Sequence, residues 1–277
     1  LKCKARTKPN VIFIVMENLG TQMVSEETTP FLIHLQKHGI NFQSHLSGGG
    51  SLEDNLFRLI YGIPASYRPE ANASALVSEL EKNGYATSVF SSRRIPGLPY
   101  QQTAWEQWME NYKQRDPSVP NFVFFDLGPG MADQLDQNLR ETFERLHSAN
   151  LLAGSSIVIT GTQSSEWDSV PMTLIVPERE KGEWQHRTTH YDVAPTILRK
   201  ILNCKTSPSA YSYGKDLAEA PSKDWEIFGN ENSFRIADFT NRLIIESDWH
   251  GRIQSGNEGR TELVLRASRE ISRFYRR

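Results

Sequence analysis

The chain has 277 residues, of which 38% are hydrophobic and 23% are charged, and its formal net charge at pH 7 is -2. This length allows one large domain, or a domain with a small appendage, and the absence of low-complexity tracts and repeats excludes disorder and solenoids. The balanced charge argues against a dedicated nucleic-acid-binding protein, because affinity for phosphates comes from clustered Lys and Arg.

Buried strands are predicted where apolar residues run continuously, and helices where apolar residues recur every three or four positions. In chain order the predicted elements are strand 11–16, helix 30–39, strand 40–46, helices 51–61 and 73–83, strand 85–90, helix 103–112, strand 121–127, helix 131–152, strands 157–160 and 172–176, and helix 191–202. This alternation predicts an α/β fold with a mostly parallel sheet and helices on both faces.

The pattern changes after residue 218. Short strands separated by Gly, Asn and Asp are predicted at 225–228, 234–238, 242–247 and 252–254, followed by a helix at 261–275. We therefore divide the chain into a main domain, 1–218, and a small C-terminal antiparallel α+β subdomain, 219–277.

Two candidate site residues follow strands of the predicted sheet. In open parallel sheets ligands bind at the carboxyl ends of the strands, where Glu17 ends the first apolar run and suits a divalent cation. Ser51 follows three glycines and opens a helix, and such a position favours an anionic oxygen. Two other interpretations stay open, since Glu17 also fits a solvated loop, and Ser51 with Asp54 fits a helix capping box.

The sequence resembles a known superfamily in several segments. These read "TTPFLIHLQKHGINFQSHLSGGGS" at 28–51, "LFRLIYGIPASY" at 56–67, "THYDVAPTIL" at 189–198 and "SPSAYSYGKDL" at 207–217. They resemble the alkaline phosphatase and sulfatase superfamily, above all its membrane-anchored branch, which includes lipoteichoic acid synthases and phosphoethanolamine transferases. The resemblance implies a sulfatase-like fold, with Glu17 as a metal ligand and Ser51 as the nucleophile.

Three shorter segments are most similar to the periplasmic domain of the YejM/PbgA inner-membrane family, which monitors lipopolysaccharide in Gram-negative bacteria. They read "LSGGGSLEDNLFRLIYGI", "GYATSVFSS" and "YSYGKDL". This resemblance implies a location on the periplasmic side of the inner membrane, with lipid A and a membrane-protein regulator as partners. Because the chain begins at Leu1, we expect it to be a piece of a longer protein, with a membrane anchor left off either end. The resemblance implies that this anchor is a bundle of N-terminal membrane helices.

The sequence departs from the superfamily at its metal site. Active members carry Thr-x-Asp-His-Gly after the strand that follows the long helix, whereas this chain has Thr162 and Gln163 in place of the Asp-His pair. A further His is replaced in the segment 125–128. Glu17 with a neutral hydroxyl and a neutral amide is a poor ligand set for a divalent ion. We therefore expect no cofactor, a vestigial nucleophile at Ser51, and a sensor or scaffold in lipid A homeostasis.

Two alternatives remain from the sequence. One is an active phosphatase, sulfatase or phosphoethanolamine transferase that uses Ser51 and one divalent metal such as Mn, Mg or Zn. Its ligands would then be rebuilt from the residues Asp126, Glu166, Asp168 and His190, although His190 is expected to be structural. The other alternative is a binding domain for an extracytoplasmic partner, without a lipid role.

Basic residues crowd the start of the chain, and two cysteines are far apart in sequence. The YejM/PbgA resemblance makes residues 1–8 a membrane-proximal linker, in which four basic side chains would contact anionic lipid or lipid A: Lys2, Lys4, Arg6 and Lys8. A basic segment that serves only solubility or topology is the alternative. Cys3 and Cys204 allow at most one disulfide, and the sequence leaves their pairing open.

Overall fold

The main feature of the fold is a mixed sheet of seven strands. The computed structural model describes residues 1–5, 7–70, 73–99, 104–163, 169–177, 181–230, 232–248, 252–255 and 261–272. Within these ranges the strands of the large sheet are β1 (Val11–Glu17), β2 (Ile40–Leu46), β3 (Ala86–Phe90), β4 (Asn121–Pro129), β5 (Ser156–Gly161), β6 (Met172–Ile175) and β7 (Gly182–Thr189). Their order across the sheet is β3-β4-β1-β5-β6-β2-β7, and only β6 among them runs antiparallel to its neighbours.

Helices cover both faces of this sheet. They are α1 (Pro30–Gln36), α2 (Leu52–Tyr61), α3 (Ala75–Lys82), α4 (Trp105–Lys113), α5 (Ala132–Ser148) and α6 (Val193–Lys200), with a 3-10 turn at His190–Asp192 before α6. No helix in the described ranges combines the length and the apolar character that a membrane crossing requires.

The central strand β1 divides the apolar core into two layers. Successive side chains of a strand point to opposite faces, so Val11, Phe13 and Val15 join the cluster that contains residues of α2, α3 and α6. Ile12 and Ile14 join the cluster that contains residues of α1 and α5. All five side chains are buried, which explains why the strand is a continuous apolar run rather than an alternating one.

A second, antiparallel sheet follows in the chain. Its strands are β8 (Trp225–Gly229), β9 (Ser233–Asp238), β10 (Leu243–Asp248) and β11 (Ile253–Ser255), and helix α7 (Thr261–Ser272) comes after them. Ile227, Phe234 and Ile245 of the strands share a buried cluster with Val264 and Ala267 of α7. The cluster also contains Tyr67, which follows α2 in the chain, so the small sheet packs against the larger part of the protein.

The predicted fold class is confirmed, and the differences concern element boundaries and one strand. The mostly parallel sheet, the helices on both faces and the C-terminal antiparallel strands are all present. The division at residue 218 stays a prediction. Strand β7 was missed, because it lies at the sheet edge and its polar sequence over 182–189 lacks an apolar run. The helix predicted at 131–152 ends at Ser148, and the one predicted from residue 191 begins at Val193.

Candidate functional site

A glycine loop forms one wall of the candidate site. Gly48, Gly49 and Gly50 connect β2 to α2 with φ angles of 101°, 66° and 82°, a region that residues with a side chain rarely adopt. A Cβ atom on Gly48 would lie 2.3 Å from Cδ1 of Phe228 in β8. The loop therefore takes this path because its backbone carries no side chains.

Ser51 is the N-cap of α2. Its hydroxyl oxygen accepts a hydrogen bond from the backbone N–H of Asp54 at 3.1 Å, and Asp54 Oδ2 accepts from the backbone N–H of Ser51 at 3.1 Å. The capping-box interpretation of this segment is confirmed. The cap accounts for a serine at this position without any chemistry, and the nucleophile role stays a prediction.

Arg58 holds the glycine loop from inside the protein. Its side chain is 2% exposed, and its Nη1 donates to the carbonyl of Gly49 at 2.6 Å and to Asn55 Oδ1 at 2.7 Å. Its Nη2 donates to the carbonyl of Gly229 in β8 at 3.1 Å. One buried guanidinium thus ties the loop before Ser51 to the second sheet. Sequence reasoning missed this residue, because an Arg within a helix is usually solvent-exposed.

Glu17 lies at the carboxyl end of β1 and is paired with an arginine. Nη2 of Arg93 donates to Glu17 Oε2 at 2.8 Å, and Nε of Arg93 lies 3.1 Å from Oδ2 of Asp126. Ser91 donates its hydroxyl to the same oxygen of Asp126 at 2.8 Å, and the N–H of Gly128 donates to Asp126 Oδ1 at 3.0 Å. A guanidinium therefore bridges the carboxylates that end β1 and β4.

Thr162 and Gln163 lie between the end of β1 and the glycine loop. The N–H of Thr162 donates to the carbonyl of Met16 at 3.1 Å, and Gln163 Nε2 donates to the carbonyl of Gly50 at 3.1 Å. The Thr162 hydroxyl is buried, and no hydrogen-bond partner is found for it in the described part of the chain. The structure thus places this pair beside the loop that leads to Ser51.

The side chains at this edge do not fit a divalent cation. Glu17 already binds a guanidinium, and Thr162 and Gln163 supply a neutral hydroxyl and an amide, whereas divalent metals favour several carboxylates or imidazoles. Among the described residues, no group of three or more His, Cys, Asp and Glu is arranged to hold a metal. Glu166 and Asp168, which we considered as rebuilt ligands, lie outside the described residues.

His190 lies in the interior beside His45. Both are fully buried, and His190 Nδ1 lies 2.9 Å from His45 Nε2, while His45 Nδ1 lies 2.9 Å from the hydroxyl of Thr188. Burial lowers the pKa of His45 well below its usual value, and burial together with the nearby charge of Arg58 lowers the pKa of His190 to about 3. Both rings are neutral at pH 7, in keeping with the structural role expected for His190.

The N-terminal segment packs along the domain rather than leaving it directly. Cys3 and Cys204 form a disulfide, which answers the question that the sequence left open. The N–H of Lys205 donates to the carbonyl of Lys2 at 2.8 Å. Lys2 and Lys4 are exposed, and so is Lys8, whose Nζ donates to the carbonyl of Asn83 at 2.7 Å. Arg6 lies outside the described residues.

The fold of this chain is shared by solved structures of other proteins. Solved structures share this fold: a protein of the alkaline phosphatase superfamily from Vibrio parahaemolyticus, with a TM-score of 0.69 and 12% identity, covers 100% of this chain and 88% of its own. The lipoteichoic acid synthase LtaP from Listeria monocytogenes has a TM-score of 0.67 and 13% identity, covering 96% of this chain and 91% of its own. The chain therefore has the alkaline phosphatase and sulfatase fold.

A more specific similarity comes from sequence. The chain is weakly homologous to the inner membrane protein YejM of Salmonella typhimurium, with 21% identity across 97% of this chain and 56% of that protein. An uncharacterized protein of Haemophilus influenzae is 19% identical over 80% of the chain and 46% of its own length. The chain thus spans about half the length of these relatives. No protein-family profile matches it.

Proposed function

We propose that this chain is the periplasmic, sulfatase-like domain of an inner-membrane protein and acts as a non-catalytic sensor or scaffold in lipopolysaccharide homeostasis. The observation that carries this proposal is the Arg93 bridge between Glu17 and Asp126. Hydrolases of this fold use a metal cation next to the acid that ends the first strand. In this chain the acid is Glu17, and the permanently charged side chain of Arg93 forms an ion pair with it.

The bridge affects both metal binding and nucleophile activation. A divalent ion at Glu17 would have to displace or approach a guanidinium, and like charges at contact distance repel each other. Without a metal, the site lacks the ion that would lower the pKa of a serine hydroxyl and neutralise charge on a transferring phosphoryl group, and the charge of Arg93 is already paired with Glu17 and Asp126. The Ser51 hydroxyl would then serve only as the cap of α2.

The proposed location rests on two observations. The disulfide between Cys3 and Cys204 is typical of proteins in an oxidising compartment such as the periplasm. The relative YejM is an inner membrane protein. Exposed Lys2, Lys4 and Lys8 would lie beside anionic headgroups, where each basic residue contributes about 1 kcal/mol, and lipid A with a membrane-protein regulator are the proposed partners.

The absence of catalysis is tested by metal binding and turnover together. Binding of Mn²⁺, Mg²⁺ and Zn²⁺ is measured by calorimetry on the parent, on Arg93→Met and on the control Arg94→Met, which alters an exposed neighbour. We expect weak or no binding at this edge in the parent and in the control. Hydrolysis of nitrophenyl phosphate and sulfate should be unchanged by Ser51→Ala. Metal-dependent turnover that Ser51→Ala abolishes would establish the alternative, an active phosphatase, sulfatase or phosphoethanolamine transferase.

The lipid role is tested on the full-length protein. Its binding to lipid A is compared with its binding to phosphatidylglycerol, before and after Lys2, Lys4, Arg6 and Lys8 are changed to Gln. We expect preferential lipid A binding that weakens in the variant and at high salt, because exposed charges are screened. Equal binding of both lipids, or no change in the variant, would refute recognition of lipid A by this segment.

A further inference from the structure

A cleft lies where the edge of the large sheet meets a turn of the small sheet. It has a volume of about 560 Å³ and is formed by β2, β7 and the turn that joins β9 to β10. Its polar lining consists of Gln43, Ser44, Ser169, Gln185, Arg187 and Arg242. Neither Glu17 nor Ser51 contributes to it. A volume of this size accommodates a small molecule, since ligand sites commonly measure about 300–1,000 Å³.

The charge of the cleft differs from that of the whole chain. The formal net charge of the protein is -2, yet the described lining residues include two arginines and no Asp or Glu. Guanidinium groups match the geometry of phosphate and carboxylate oxygens and bind them with paired hydrogen bonds. The chemistry of the lining therefore selects an anion.

Arg187 is held in place before any ligand arrives. Its guanidinium carbon lies 3.9 Å from the centre of the Phe239 ring, and its Nη2 donates to the carbonyl of Lys223. The same nitrogen lies 3.9 Å from Oε1 of Glu226 beneath it. A cation with a fixed position loses little conformational freedom on binding, and such preorganisation strengthens binding.

Arg242 supplies the second charge of the lining. It lies in the turn between β9 and β10, where its φ of 51° places the backbone in the left-handed region, and its side chain is exposed. The two arginines thus come from β7 and from the turn between β9 and β10, and Arg187 is the one fixed by contacts within the protein. The side-chain amides of Gln43 and Gln185 and the hydroxyls of Ser44 and Ser169 add donors and acceptors that suit sugar hydroxyl groups.

We propose that this cleft binds a phosphorylated saccharide, with the phosphate at Arg187 and Arg242 and the sugar hydroxyls at the amides and serines. The cleft uses none of the residues at the carboxyl edge of the sheet and none of the basic residues 2–8. For a lipid headgroup as the ligand, the proposal rests on the lipid contact of the proposed function, whereas for a free sugar phosphate it does not. The same chemistry is present in a free sugar phosphate and in the phosphorylated sugar headgroup of a lipid.

Calorimetry with defined probes tests the cleft. The parent is titrated with glucose-6-phosphate, glucose and inorganic phosphate, and is mixed with vesicles that carry phosphatidylinositol phosphate. We expect glucose-6-phosphate to bind at least about tenfold more tightly than glucose, which lacks the phosphate, and than inorganic phosphate, which lacks the sugar hydroxyls. Binding of the vesicles as well would identify a lipid headgroup as the source, and binding of the soluble probe alone would identify a free sugar phosphate.

Variants show whether the cleft is responsible. Arg242→Gln should weaken glucose-6-phosphate binding about tenfold, whereas Arg145→Gln, an exposed arginine on α5, should leave it unchanged. Gln185→Ala should reduce the preference over inorganic phosphate. Arg187→Gln is used only if its thermal unfolding matches the parent, because Arg187 also bonds within the protein. No binding in the parent, equal affinity for inorganic phosphate, or unchanged binding in Arg242→Gln would overturn the proposal.

Discussion

Nε2 of His45 and Nδ1 of His190 lie 2.9 Å apart in the interior of the protein, where both side chains are 0% exposed. One ring donates its N–H and the other accepts, so the contact requires at least one neutral imidazole. His45 lies near the end of β2, and His190 directly follows β7, so the contact joins the carboxyl ends of two neighbouring strands of the sheet.

The histidine pair predicts an acid-sensitive fold. Burial lowers the pKa of both rings below the value of about 6.5 for a free side chain, so the unfolded chain takes up protons first as the pH falls. Their contribution to stability is complete above that value and decreases below it. We expect the free energy of unfolding to fall by up to about 1.4 kcal/mol per pH unit for each histidine. Urea denaturation as a function of pH measures this slope.

Substitutions separate this effect from other titrations. The double variant His45→Gln with His190→Asn should have a flatter slope below about pH 6.5, although it is less stable at pH 7. His147→Gln, at an exposed position on α5, serves as the control and should keep the parental slope. Equal slopes in the parent and the double variant would contradict the prediction.

The disulfide predicts sensitivity to reduction. It joins residues 201 positions apart and ties the N-terminal segment to the end of α6, so its loss frees a long loop in the unfolded chain. We expect Cys3→Ser with Cys204→Ser to lower the free energy of unfolding by about 2–5 kcal/mol. Dithiothreitol should lower the free energy of unfolding of the parent by a similar amount, seen as a lower urea midpoint. It should leave the midpoint of the variant unchanged. A parent indifferent to the reductant would argue against the bond.

The hydrogen bonds from α1 to Asp136 predict that α1 needs α5 for its stability. The N-cap of α1, Thr29, makes no side-chain capping bond, and instead Asp136 accepts from the N–H of Phe31 at 3.0 Å and of Leu32 at 2.8 Å. Asp136→Ala should cost about 2–4 kcal/mol, because two N–H donors lose a charged acceptor. Asp133→Ala, an exposed position on the same helix, should cost less than about 1 kcal/mol, and equal losses would contradict this role.

The position of Gly48 against Phe228 predicts that the glycine loop tolerates no side chain there. Gly48→Ala places a methyl group 2.3 Å from the Phe228 ring at a φ of +101°, and we expect a loss of at least about 2 kcal/mol. Gly84→Ala is the matched control, because its φ is +81° and nothing lies within 4 Å of the added carbon. The difference between the two variants in urea denaturation reports the clash, and similar losses would show that only backbone strain matters.

Features that depend on neighbours in sequence were predictable. The continuous apolar run Val11–Met16 predicts a buried strand. In the structure its side chains alternate between the two apolar layers. The capping box joins Ser51 and Asp54, which are three positions apart, and both of its hydrogen bonds are present. The fold class follows from the alternation of such elements, and the resemblance to sulfatases added the expected site positions Glu17 and Ser51.

Strand β7 is an element that local sequence patterns do not predict. Strand β7 has a mixed sequence in which Trp184 packs on the core while the positions beside it are more exposed. An edge strand pairs on one side only and needs no continuous apolar run. Its existence depends on hydrogen bonds to β2, a partner more than a hundred residues away.

The sequence by itself determined the apolar strands, the helices and the edge of the sheet at which Glu17 and Ser51 were expected, because periodicity and capping act over a few residues. Only the tertiary structure decided what these residues contact. Arg93 is 76 positions from Glu17, and His190 is 145 positions from His45. A guanidinium or an imidazole meets such a partner only when the sheet brings separate strand ends together, and no local pattern in the chain encodes that meeting.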